Sequence, residues 1–249
     1  MLEQAFWLAK KEFKFQWLGF TATILFTLIL GIATAFLLDI SAEKVFINRD
    51  TPYNRLLLDL IFIGITPSFA AIYMSKPYLS FQTIKDDTFT KRMALLRSLP
   101  IPVKVLSASR TIVMLMTLSI LSFIFYGVIY LILVTFPMRF LELMSFLEFV
   151  SFIAIWFGYA LAVGGMIPYI EYGTSGKVLH LTPFISIAIF IAIIIIVYSY
   201  VESGIVEIIL YFAKENGILL AIASMIIGIS STYLWNRLLT NRLAKRDYL

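Results

Sequence analysis

Six stretches of roughly 20 mostly apolar residues recur along this 249-residue chain, at about 17–38, 56–75, 111–136, 146–168, 181–200 and 217–236. A hydrocarbon core about 30 Å thick takes about 20 helical residues to cross, so each block has the length of a membrane span. The sequence therefore predicts an all-α polytopic membrane protein, a single transmembrane domain over 1–249 with six transmembrane helices. Composition agrees. The apolar share is 61% and the charged share 14%, against roughly 45–50% and about 25% in soluble domains. With a mean hydropathy of +0.93, these values exclude a disordered chain and a nucleic-acid-binding module, and they argue against a soluble enzyme.

The 20 lysines and arginines outnumber the 15 acidic residues, yet they lie between the apolar blocks. Lys10, Lys11 and Lys14 precede the first block. Lys76, Lys85, Lys91, Arg92, Arg97, Lys104 and Arg110 fall between the second and third, Lys177 between the fourth and fifth, and Arg237, Arg242, Lys245 and Arg246 after the sixth. These 15 would share one side, leaving Lys44, Arg49, Arg55, Arg139 and Lys214 on the other. Cytoplasmic segments carry the excess of Lys and Arg, so both termini are predicted to be cytoplasmic, in the plasma membrane. The N-terminus lacks the small-residue cleavage site of a signal peptide, and the mature chain is expected to begin at Met1.

Residues 1–16 place Leu2, Phe6, Ala9, Phe13 and Trp17 at helical spacing with lysines opposite, the pattern of a helix lying in the membrane interface. Between the fifth and sixth blocks, Ile205 to Phe212 is too short to cross and reads as a short external or re-entrant helix. Tyr211 and Phe212 would hold it near the interface, with Glu202, Glu207 and Glu215 facing water. Pro67, Pro168 and Pro183 occupy kink or terminus positions, and Gly164-Gly165 would allow close helix approach. Ionisable residues within spans are functional candidates; here they are Asp59 and Glu148, each near enough to a span end to snorkel. The hydroxyls of Thr66, Ser68, Tyr73, Tyr126, Tyr130, Ser151 and Tyr159 complete the polar inventory. Asp59, Thr66 and Tyr73 are the candidates for a substrate pathway, whose apolar lining would suit an amphiphilic or apolar cargo.

The longest polar interruption is residues 80–110. Asp86, Asp87 and Thr88 supply helix N-cap chemistry, and Pro100 and Pro102 stop the following run, so a helix is predicted over about 88–99. Phe89, Met93, Leu96 and Pro100 form one apolar stripe along it, flanked by Lys91, Arg92 and Arg97. Such a ridge, held between two spans, suits docking into a groove of a soluble partner; a basic loop obeying the positive-inside rule is the simpler alternative.

The stretch Asp86-Asp87-Thr88, then Arg92-Met93-Ala94-Leu95-Leu96-Arg97-Ser98-Leu99-Pro100-Ile101-Pro102, then Leu106 and Arg110, resembles the region after the second span of ABC-2 type permeases, the membrane subunits of one class of ATP-binding-cassette exporters. The family's Glu followed by Gly-Thr is here Asp86-Asp87 followed by Thr88-Phe89, and Pro102 stands where the family often has a polar turn. The resemblance implies that this segment is the coupling helix inserted into an ATPase subunit, with Thr88, Phe89, Lys91, Arg92, Met93, Leu95, Leu96 and Arg97 as coupling residues. It also implies a second permease subunit, identical or similar, and ATP and Mg bound by the partner ATPase. The chain itself would bind no cofactor and perform no covalent chemistry.

The remaining motifs fit enzymes poorly. Gly173-Thr-Ser-Gly176-Lys177 lacks the spacing and strand context of a phosphate loop. It also reads like the serine site of an intramembrane protease, but His180, the only histidine, lies five residues from Ser175 rather than on a separate helix. With no cysteine and one histidine, Cys- and His-based metal sites are not expected. A secondary transporter, or a non-transporting membrane scaffold or immunity-type protein, remains as an alternative to the exporter subunit.

Overall fold

The computed structural model describes residues 1–49, 52–80, 82, 85, 87–201 and 203–246, which are helical with no strand among them. In chain order the helices are α1 (Leu2–Phe15), α2 (Trp17–Ile47), α3 (Arg55–Leu60), α4 (Thr66–Ser68), α5 (Thr88–Arg97), α6 (Val103–Thr135), α7 (Phe146–Gly164), α8 (Ile167–Gly173), α9 (Gly176–Val201) and α10 (Ile205–Lys245), with single turns at Lys76–Leu79 and Phe140–Leu143. Among the described residues, five helices are long and apolar enough to cross a membrane: α2, α6, α7 continued by α8, α9 and α10.

The sixth expected span, 56–75, is not a uniform helix. α3 runs into a π-helical turn at Ile61–Ile65, then α4, and the chain continues from Phe69 through turns. Proline explains part of the break. Pro67 has no N–H to offer the carbonyl four residues back, that of Ile63, and the Tyr159 hydroxyl donates to that oxygen instead at 2.8 Å. The segment is buried through Leu58, Ile61, Phe62, Phe69 and Ala70, the setting in which irregular backbone at membrane depth is tolerated. It runs antiparallel to α2. At one end the Tyr53 hydroxyl donates to Ser41 at 3.3 Å; at the other Met74 N–H donates to the Thr23 hydroxyl at 3.2 Å, and Tyr73 pairs with Thr27 at 2.8 Å.

The tightest pairing is between α7 and α10. A Cβ added at Gly228 would lie 2.5 Å from the Gly158 carbonyl oxygen, and one at Gly158 would meet Ser224 at 2.4 Å. With backbones this close, Ser224 donates to Ile155 O and Ser231 to Ala162 O, at 2.7 and 2.8 Å. Small residues plus interhelical hydroxyl bonds are how helices associate where burial from water gives little driving force. Asn216 (φ −134°, ψ 30°) breaks α10, so that residues 205–215 form an arm and the long remainder packs on α7. By contrast α9 buries only Gly176, Leu179 and Ile194, exposing a row that includes Leu181, Phe184, Ile189 and Ile195.

Span limits shift outward wherever a charge ended the apolar run. α2 continues past 38 to Ile47 because the Asp39 carboxylate accepts from Phe140 N–H at 2.8 Å. α6 begins at Val103, eight residues before the expected start, with Arg110 buried inside it. Pro168 opens α8 rather than closing a span, and Pro183 lies inside α9, which starts at Gly176. The two basic sets occupy opposite ends of the bundle. Lys44, Arg55 and Arg139 pair with Glu207 or Glu43 at one end; Arg92, Arg110 and Arg246 engage residues 12 and 172–174 at the other.

Candidate functional site

The α5 end carries the densest polar chemistry. Asp87 caps α5, its carboxylate accepting from Thr90 N–H at 3.3 Å, while Asp86 lies outside the described residues. The helix ends at Arg97, two residues short of the expected Leu99. Three of the four residues of its apolar stripe, Phe89, Met93 and Leu96, face inward, which corrects the expectation of a continuous ridge free for docking, while Pro100 is exposed. Phe89 (5% exposed) and Met93 (0%) pack with Leu106, Tyr172, Leu179, Leu239 and Leu243, and Leu96 leans on the same cluster. The ends of α6, α8 and α10 and the start of α9 supply that apolar surface, so these three side chains are satisfied within the chain. The outward face is a different set: Thr88, Lys91 and Leu95, continued by Leu99, with Leu95 68% and Leu99 48% exposed.

Beneath α5 lies a buried ionic hub. Glu12 of α1, which the sequence reading did not single out, is 4% exposed. It accepts from Arg92 at 2.9 Å and from the Tyr172 hydroxyl at 2.9 Å, and it pairs with Arg110. Arg110, 3% exposed, also donates to Tyr172 at 3.0 Å and stacks its guanidinium 4.4 Å from that ring. Four helices, α1, α5, α6 and α8, thus meet at one carboxylate. Tyr78 donates to neighbouring Glu171; burial, then the Glu171 charge, pushes its phenol well above the ordinary range, so it stays a donor. Removing one member of a buried pair costs about 3–5 kcal/mol, because its partner stays buried and charged. Three further arginines grip carbonyls: Arg97 that of Leu243, Arg242 that of Gly173 at 3.2 Å, and Arg246 that of Thr174 at 2.7 Å.

The hub encloses a cavity of about 20 Å3 lined by Glu12, Gln16, Tyr78, Arg110, Thr117 and Glu171 among others, room for about one water and too small for a transported molecule. Outside it, an open groove of about 430 Å3 runs between α1 and the chain after α5, lined by Trp7, Leu8, Pro100, Ile101, Pro102 and Val105.

The pathway candidates lie elsewhere and do different work. Asp59, expected to reach the interface, is 1% exposed. It accepts from Ile205 and Val206 N–H at 3.0 and 2.9 Å and from the Tyr198 hydroxyl at 2.8 Å, closing the N-terminus of α10. Thr66 bonds back to Phe62 O at 2.6 Å, and Tyr73 is held by Thr27, so the structure ties all three into local bonding. Glu148 forms a capping box with Ser145. Glu207, expected to face water, is buried and binds Lys44 at 2.9 Å, Arg55 at 3.4 Å and the Tyr53 hydroxyl. Burial and that bond raise the Tyr53 phenol above its ordinary value. Glu202 lies outside the described residues; Glu215 is exposed as expected.

Ser175 is exposed just before α9, and half-buried His180 lies on that helix. Five residues along a helix turn a side chain by about 140°, a poor geometry for base and nucleophile. Among the described residues no group of three or more His, Cys, Asp or Glu could hold a metal. No protein-family model, curated protein or solved structure matches the chain.

Proposed function

We propose that the chain is the permease subunit of an ABC-2 type exporter, with α5 as the coupling helix. In this reading both termini and α5 lie in the cytoplasm, the broken segment 55–75 is the sixth crossing, and residues 205–215 lie on the external side. Separate ATPase subunits bind ATP and Mg, and a second permease subunit, identical or similar, completes the pathway for an amphiphilic or apolar substrate. Alternating access then comes from rocking one half against the other.

One observation carries the proposal. α5 presents an outward face of Thr88, Lys91 and Leu95, continued past its end by Leu99, while its inner face is fixed to α6, α8 and α10. A push on α5 therefore reaches α6, α8 and α10. The groove beside Trp7 and Pro100 extends this outward surface toward α1.

The test uses Leu95→Asp with Leu99→Asp, both on the exposed face. Burying a leucine contributes about 1.5–3 kcal/mol, so losing two at a docking surface reduces co-purifying ATPase by about tenfold or more, with membrane insertion unchanged. Absence of any ATPase from the native chain purified from its own membranes overturns the proposal, as does undiminished ATPase with the double variant. Arg92→Glu with Leu96→Asp is not a clean docking test, because Arg92 holds Glu12 and Leu96 packs inward.

A further inference from the structure

The Glu12 carboxylate has more partners than an interfacial anchor needs. An amphipathic helix resting on a bilayer requires only an apolar face and a charged one. Here a carboxylate on the inner face of α1 is buried; besides Gln16, one turn on at 3.4 Å, its donors come from other helices: Arg92 of α5, Arg110 of α6 and Tyr172 of α8. Arg92 also lies 5.7 Å from the Phe15 ring, so α5 touches α1 through one side chain in two ways. Ala5 and Ala9, both 0% exposed, lie on the buried side of α1, which packs chiefly on α6, so the link to α5 is carried by Arg92.

We propose that Glu12 is a positioning residue that locks α1 to α5, making the N-terminal helix part of the moving block rather than a passive anchor. Two arginines on different helices share one acceptor: if α1 shifts alone, Arg110 keeps its charge in a buried site without the carboxylate, and if α5 shifts alone, Glu12 loses one of its two guanidinium partners. The two-sided clamp fixes where the outward face of α5 stands relative to the bundle. The reading of α5 as a coupling helix enters only in naming what drives the block; the lock itself stands on the geometry.

The chain contains no cysteine, so spin labels can be placed at chosen pairs without background. Labels at Lys10→Cys on α1 and Leu95→Cys on α5, both exposed, report the lock in the full chain in lipid nanodiscs. Labels at Leu147→Cys and Ile222→Cys, on α7 and α10, serve as the control pair. The native background gives one narrow α1–α5 distance distribution. Glu12→Gln, which preserves shape but removes charge, at least doubles its width, Glu12→Asp restores most of the narrowing, and the control pair stays unchanged. A space-filling role for Glu12 predicts the reverse, with Gln as narrow as Glu and Asp the broader. That result, or a broad distribution in the native background, overturns the proposal. Should Glu12→Gln disturb the control pair, Arg92→Met, on a half-buried position, must broaden the α1–α5 distribution alone, and an unchanged width overturns the lock. None of these readings involves an ATPase, so failure of the lock is distinct from failure of the exporter assignment.

Discussion

Asp59 shows how much one buried carboxylate can organise. Its two oxygens take the first free N–H groups of α10 and the Tyr198 hydroxyl, so removing it strands donors that have no water to turn to. A lost cap costs about 0.5–2 kcal/mol, and a buried unsatisfied donor about 1–3 kcal/mol. Asp59→Ala is accordingly expected to destabilise the chain by about 2 kcal/mol, lowering the thermal midpoint in detergent by about 4–8 °C, with Asp59→Asn, which keeps one acceptor, losing less. Equal midpoints for the native chain and Asp59→Ala, followed by circular dichroism, would remove Asp59 as the cap. The residue was visible in the sequence as an ionisable group near a span end, but its role was not. Its backbone partners are 146 and 147 positions away, and Glu12 meets Arg92 and Tyr172 across 80 and 160 positions. Helical periodicity reports which face a residue occupies, not what lies opposite.

At the scale of elements, the α7–α10 contact depends on the absence of side chains. Gly228→Ala would set a methyl 2.5 Å from the Gly158 oxygen, forcing the helices apart at the cost typical of overpacking, about 1–3 kcal/mol. Gly127, in the middle of α6, has nothing within 4 Å of a Cβ, and Gly127→Ala should gain about 0.8–1 kcal/mol of helix propensity. Opposite shifts of the thermal midpoint for these two substitutions check the packing, and a neutral Gly228→Ala would show that the helices are not in contact there. Gly164-Gly165 was the pair that stood out in the sequence; the closest approach is at Gly158 and Gly228, single glycines 70 residues apart. Apolar length and proline placement made the long helices and α5 legible. The helix ends were not, because Asp39 and Arg110 look like stops until a distant backbone N–H binds the one and a distant carboxylate pairs with the other. The interruption at 61–65 was hidden for a related reason: hydropathy measures what the side chains are, and says nothing of a backbone carbonyl rescued by Tyr159.

For the whole molecule, charge distribution and fold lead to one arrangement. The basic residues divide between the two ends of the bundle fifteen to five, and the end with fifteen also holds α1, α5, the start of α9 and the last turns of α10. Lys and Arg retard translocation of the short segments that bear them, so the fifteen-residue end should stay in the cytoplasm, where an ATPase could reach α5. Single cysteines in the otherwise cysteine-free chain test this directly. Glu215→Cys, on the exposed arm before Asn216, should react with a membrane-impermeant thiol reagent in intact cells, whereas Leu95→Cys and Lys245→Cys should react only after permeabilisation. The reverse pattern would place α5 on the outside, where no ATP-hydrolysing subunit could dock, and would end the exporter proposal. Labelling of all three in intact cells would mean that the long helices do not form a sealed transmembrane unit. The expected pattern would leave α1 and α5 as elements both accessible from the cytoplasm and joined through Glu12, Arg92 and Arg110 to the helices that cross the bilayer.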